Sequence, residues 1–112
     1  MVKDCNSDDD FRQLMEASKQ RPVFLFKHSS VCAVSKGAWA RFSEFSEQEQ
    51  HPEFWRLLVR DHKDLAGRIA KETNIPHESP QVILFVDGQA VWKAASRGIN
   101  ADNMGRQIKR LK

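Results

Sequence analysis

Apolar residues along the chain fall into two kinds of pattern. Val23-Phe24-Leu25-Phe26 and Val82-Ile83-Leu84-Phe85-Val86 are unbroken apolar runs, the mark of strands covered on both faces. Elsewhere the apolar positions recur at helical spacing: Phe11, Leu14 and Met15; Val34, Ala38, Phe42 and Phe45, with Trp39 beside them; Leu65, Ala66, Ile69 and Ala70; Met104, Ile108 and Leu111. Ser7 predicts an N-cap for the first helix, which runs to about Lys19 before Arg21-Pro22 breaks it, with Asp10 closing an approximate capping box. The second helix opens near Cys32, and Asn74 and Pro76 end the third. Asn100 caps the fourth. Phe54 to Val59 reads as a further strand. Asp87-Gly88 is a two-residue hairpin turn that returns the chain as Ala90-Val91-Trp92-Lys93. Residues 1–6 read as a loose tail, and Lys27 to Val31 as a short polar loop.

The predicted order is α-β-α-β-α-β-β-α. Two early strands separated by a helix require a right-handed parallel crossover, and the last two strands form an antiparallel hairpin. The expected architecture is a single α/β domain over 1–112. It has a four-stranded mixed sheet with helices on both faces, in the thioredoxin arrangement preceded by one extra N-terminal helix.

Composition narrows the function classes. At 112 residues and 12.9 kDa, with 29% charged residues, the chain has the make-up of one globular domain. No apolar run is long enough to span a bilayer, and the polar, acidic start, Met1 to Asp10, does not resemble a signal peptide. The net charge of +3 is concentrated late, in Arg106, Lys109, Arg110 and Lys112. No aromatic residue is interleaved there, so a solvated helix face is expected, not a nucleic-acid surface. Two cysteines support neither a disulfide framework nor a zinc site, and the four histidines add no metal-ligand spacing. A cytoplasmic setting follows most simply, with thiols kept reduced unless they do chemistry.

The chemistry concentrates at one handover from strand to helix, His28-Ser29-Ser30-Val31-Cys32-Ala33-Val34-Ser35. A cysteine at a helix N-terminus faces unpaired N–H groups that favour its thiolate, the form that attacks disulfide sulfur. Ser35 stands three residues on, where a dithiol protein has its second cysteine, so Cys32 has no internal disulfide partner there. Ser35 is expected to offer the thiolate a hydrogen bond. His28 is either a proton donor or acceptor for the site or a structural hydrogen bond at the loop, the latter favoured. Ser79-Pro80, just before the Val82 strand, occupies the place where thioredoxin folds carry a cis proline beside the nucleophile, and is expected to meet the substrate. His77 and Glu78 order that loop, His51 and His62 lie at the surface, and Trp92 packs. Cys5 reads as a spare, exposed thiol in an acidic tail and not as a resolving arm.

With these residues in view, Lys27-His28-Ser29-x-x-Cys32-x-x-Ser35, His77-Glu78-Ser79-Pro80-Gln81 and Val91-Trp92 together resemble the YtxJ-like family, the monothiol bacilliredoxins, over roughly Phe11 to Ile99. The resemblance implies a thioredoxin fold and removal of bacillithiol from proteins that carry it as a mixed disulfide. The nucleophile falls on Cys32 and the cis proline on Pro80. It implies no metal or prosthetic group. The small thiol is a co-substrate, S-thiolated proteins are the partners, and a second small thiol or another redoxin resets Cys32. Lys27, Lys36 or Arg97 is then expected to steer the thiol's carboxylates. The chain departs from the family's Thr-Cys-Pro-Ile-Ser in having Val31-Cys32-Ala33-Val34-Ser35. It also has Ser96 where a histidine is usual, and Lys63 where an arginine is. Two other readings compete: a thioredoxin-fold binding or adaptor module without turnover, and an iron–sulfur monothiol glutaredoxin, whose Cys-Gly-Phe-Ser is not matched by Ala33-Val34.

Overall fold

A computed structural model describes residues 1–112. The elements are β1 (Val2–Asp4), α1 (Asp8–Ala17), β2 (Val23–His28), α2 (Ala33–Gln48), β3 (Glu53–Leu58), α3 (Lys63–Thr73), β4 (Gln81–Val86), β5 (Gln89–Ala95), a 3-10 turn (Ser96–Gly98) and α4 (Ala101–Arg110). The strands form one mixed sheet in the order β1-β3-β2-β4-β5. β2 and β3 are parallel, β4 runs antiparallel to β2, and β5 returns antiparallel to β4.

Every residue of β2 is buried, as its unbroken apolar run requires. Its side chains alternate between two cores. Val23 and Leu25 join Phe11, Leu14, Leu65 and Ile69 beneath α1 and α3. Phe24 and Phe26 join Phe42, Phe45, Met104 and Ile108 beneath α2 and α4. The second core is aromatic: Phe24 stacks on Phe54 at 5.5 Å and Phe26 on Phe42 at 5.0 Å. Each such ring contributes about 1.5–3 kcal/mol by its burial.

The Ser7 and Asn100 N-caps hold as the sequence indicates, but the capping box does not close on Ser7: the Asp10 carboxylate accepts Asn6 N–H at 2.8 Å instead. Asp10 N–H donates to Ser7 Oγ at 3.0 Å and Asn103 N–H to Asn100 Oδ1 at 2.8 Å. Asp87 and Gly88 both take positive φ, 54° and 78°, the conformation of a tight hairpin turn. Trp92 packs against the aromatic core.

Four further expectations are corrected. The sheet has five strands, because the start of the chain is ordered: β1 lies parallel to β3, with Val2 opposite Phe54. Three residues with one apolar side chain carry no period to read; the edge of β3 supplies the partner. Cys5 is fully buried in the α1–α3 core, where its N–H donates to Arg56 O at 2.8 Å. It is not an exposed thiol. Lys27 and His28 are the last residues of β2 and both are buried, so they are not part of the polar loop. Leu111 sits at the C-cap of α4 and is exposed, one residue past the last turn that faces the core.

Candidate functional site

Three chain segments meet at one end of the sheet. β2 ends at His28, paired with Leu58 of β3. Val59 N–H donates to His28 O at 3.0 Å, so the loop after β3 begins beside it. Lys27 pairs with Gln81, which brings Pro80 and the start of β4 alongside on the other flank.

After His28 the chain turns. Cys32 N–H donates to Ser29 O at 3.2 Å, and α2 begins at Ala33 with Cys32 as its N-cap residue in extended conformation. No side chain caps this helix and no acidic residue stands in its first turn. The free N–H groups of that turn therefore remain available to a negative charge on Cys32. Cys32 is half-buried, and Val31 and Val34 beside it are exposed. The Cys32 sulfur thus sits beside a small, exposed apolar rim.

Ser35 is fully buried one turn into the helix. Its Oγ accepts Ser29 N–H at 2.9 Å and lies 2.7 Å from His28 Nδ1. The expected bond from Ser35 to Cys32 is not formed; the hydroxyl instead ties the turn back to the helix. His28 stacks on Trp39 with ring centroids 5.6 Å apart. The Arg56 guanidinium lies over the Trp39 ring of this stack, 5.1 Å from its centroid, and is itself bonded to Asp4 of β1 at 2.8 Å. Burial, then Arg56 and Lys36, hold the imidazole below its usual range, which favours its neutral form. Sequence reading placed His28 and Ser35 at the site but missed the supports behind them. Trp39 is four residues beyond Ser35, and only the strand register brings Arg56 to it.

On the other flank the Ser79-Pro80 peptide is cis and Pro80 is buried. Pro80 O accepts Ser96 N–H at 3.4 Å. The Ser79 hydroxyl oxygen is buried without a hydrogen-bond partner. Lys27 is fully buried; its ammonium donates to Gln81 Oε1 at 2.9 Å, and the Gln81 amide donates to Pro76 O and Glu78 Oε2. Burial brings Lys27 down to about 8 against the pull of Glu78. A lysine enclosed in this way cannot steer an incoming anion by contact from solvent, whereas Lys36 and Arg97 are exposed. Cys5 lies in the core under the opposite face of the sheet, its thiol pushed up to about 12 by burial and by Asp10 and Asp8. No group of three or more His, Cys, Asp or Glu side chains is arranged to hold a metal ion, and no helix is long and apolar enough to cross a membrane.

The family model for monothiol bacilliredoxin BrxC matches residues 3–104. The chain belongs to the monothiol bacilliredoxin family. Among solved structures, a protein described only provisionally as an oxidoreductase with a thioredoxin fold is 34% identical, with a TM-score of 0.86 over 94% of this chain and 91% of that one. Thioredoxin from Fasciola hepatica superposes with a TM-score of 0.80 at 15% identity, covering 98% and 99% of the two chains. Thioredoxin f from spinach chloroplast does so with 0.77 at 18% identity, covering 97% and 84%. The last two share the fold alone. For a bacilliredoxin the site is legible as thiol redox machinery, with one sulfur at the open end of the sheet and a serine in the next turn.

Proposed function

We propose that this bacilliredoxin takes a low-molecular-weight thiol, bacillithiol, from S-thiolated proteins in the cytoplasm by a one-cysteine cycle. The observation that carries this reading is the contrast between the two sulfurs: Cys32 is half-open at an uncapped helix N-terminus, and Cys5 is sealed in the core. The Cys32 thiolate attacks the small thiol's sulfur in the mixed disulfide. A Cys32–small-thiol disulfide forms as the target's S–S bond breaks, and the target leaves as a thiolate that takes a proton from water. A second small thiol, or another redoxin, then attacks the adduct and releases Cys32. No metal or prosthetic group takes part.

Ser35 and His28 act as positioning residues. The Ser35 hydroxyl cannot form a disulfide, and its bonds to Ser29 and His28 fix the turn that presents Cys32. Ser79, whose buried hydroxyl lacks a partner, and Pro80 form the wall that meets the bound disulfide.

The test is dethiolation of a bacillithiolated model protein, followed by intact mass. Wild type and Cys5→Ser are expected to release the target, with the adduct on Cys32, and Cys32→Ser to be inactive. Equal rates for wild type and Cys32→Ser would leave the adaptor reading in its place. A faster reaction with the glutathionylated target would change the co-substrate.

A further inference from the structure

A cavity of about 320 Å3 lies beside the site, lined by Val59, Arg60, Lys63, Ala66, Gly67 and His77. Its position follows from the topology. The bond from Val59 N–H to His28 O ties its first wall to the strand that leads to Cys32. His77 borders it just ahead of Ser79 and Pro80.

The floor is apolar and the polar groups around it are basic. Arg60 and Lys63 form none of the chain's five ion pairs. Neither they nor His77 donates a side-chain hydrogen bond, and burial, then the charge of Lys27, hold the His77 imidazole below its usual range against the pull of Glu78. No carboxylate lines this cavity: Glu78 takes the Gln81 amide, and Asp61 and Asp64 border a second cleft, which Arg60 and Lys63 also line.

Gly67 is the second, independent sign. It stands in the middle of α3, where alanine is favoured by about 1 kcal/mol. Its φ is not positive and a Cβ there meets nothing within 4 Å, so neither backbone nor packing requires glycine. Its absent side chain leaves the cavity open.

We propose that this cavity is the subsite for the carboxylates of the small thiol, with Arg60 and Lys63 pairing to them and Gly67 keeping the space clear. The proposal rests on the dethiolation reading, but its test does not. The probe is S-methyl bacillithiol, a thioether that cannot exchange, titrated by NMR into full-length Cys32→Ser. Binding is expected to move the His77 ring signals and raise its titration midpoint, because an anion favours the imidazolium. Adding Arg60→Ala and Lys63→Ala is expected to weaken binding about tenfold, the value of two exposed ion pairs. Gly67→Leu, which fills the space, is expected to weaken it as well, with Gly67→Ala showing that the helix tolerates a side chain. Equal binding of the carboxylate-esterified probe, unchanged affinity in the double variant, or an unmoved His77 would overturn the subsite. Because Cys32→Ser cannot turn over, these outcomes are separate from any failure of dethiolation.

Discussion

Two buried titratable side chains, Lys27 and Cys5, give single residues a pH signature. Lys27 falls from 10.5 to about 8 on folding because burial disfavours its charge. The native state therefore sheds this proton before the unfolded state does, and stability rises as pH goes from about 8 toward 10.5. Cys5 works in the other sense: its folded thiol titrates at about 12 instead of 9.0, so the stability it contributes is present below pH 9 and is lost above it. Urea unfolding of wild type and Lys27→Met isolates the first effect, since both retain Cys5. Between pH 8 and pH 10 the difference is expected to move in favour of wild type by about 1–3 kcal/mol. A difference that stays flat would mean that Lys27 is not held down by burial. For Cys5, iodoacetamide is expected to label Cys32 alone in the native protein, and Cys5 only after denaturation, as read by peptide mass.

At the scale of elements, the β4–β5 hairpin shows how a two-residue turn fixes a register. Asp87 N–H donates to Ser18 O and Gly88 N–H to Ser18 Oγ, so the turn is pinned to the end of α1 as well as to its own strands. A Cβ at Gly88 meets no neighbour, but its φ of 78° disfavours any other residue. Gly88→Ala is thus expected to cost about 1–2 kcal/mol in chemical denaturation, purely through the backbone. A loss near zero would show that the turn relaxes to another type. The elements most legible in the sequence were of this kind: Asp87-Gly88 between apolar runs, Ser7 and Asn100 before helical stripes. β1 was not legible, because Val2–Asp4 is a strand only by virtue of the free edge of β3. The same limit hid the continuation of β2 through Lys27 and His28. Both are polar, and what makes them strand residues is the pairing of Lys27 with Gln81 and of His28 with Leu58.

Across the whole molecule, the sheet separates the two cysteines. Cys32 begins the helix that packs on one face, and Cys5 is enclosed in the core on the other. The position of Cys32 could be read from its place between a strand and a helix. The burial of Cys5 could not, since it depends on β1 and on α1 closing over it. No internal disulfide is expected under diamide: non-reducing electrophoresis and intact mass should show only adducts and dimers through Cys32, unchanged in Cys5→Ser. An intramolecular loss of two hydrogens would contradict this separation. With a single sulfur within reach, the proposed cycle also acquires a kinetic form. The chain holds one thiol equivalent at a time, so its two half-reactions cannot overlap. Initial-rate plots against target and small thiol should give parallel lines, and without the resetting thiol one burst should release one mole of target per mole of chain.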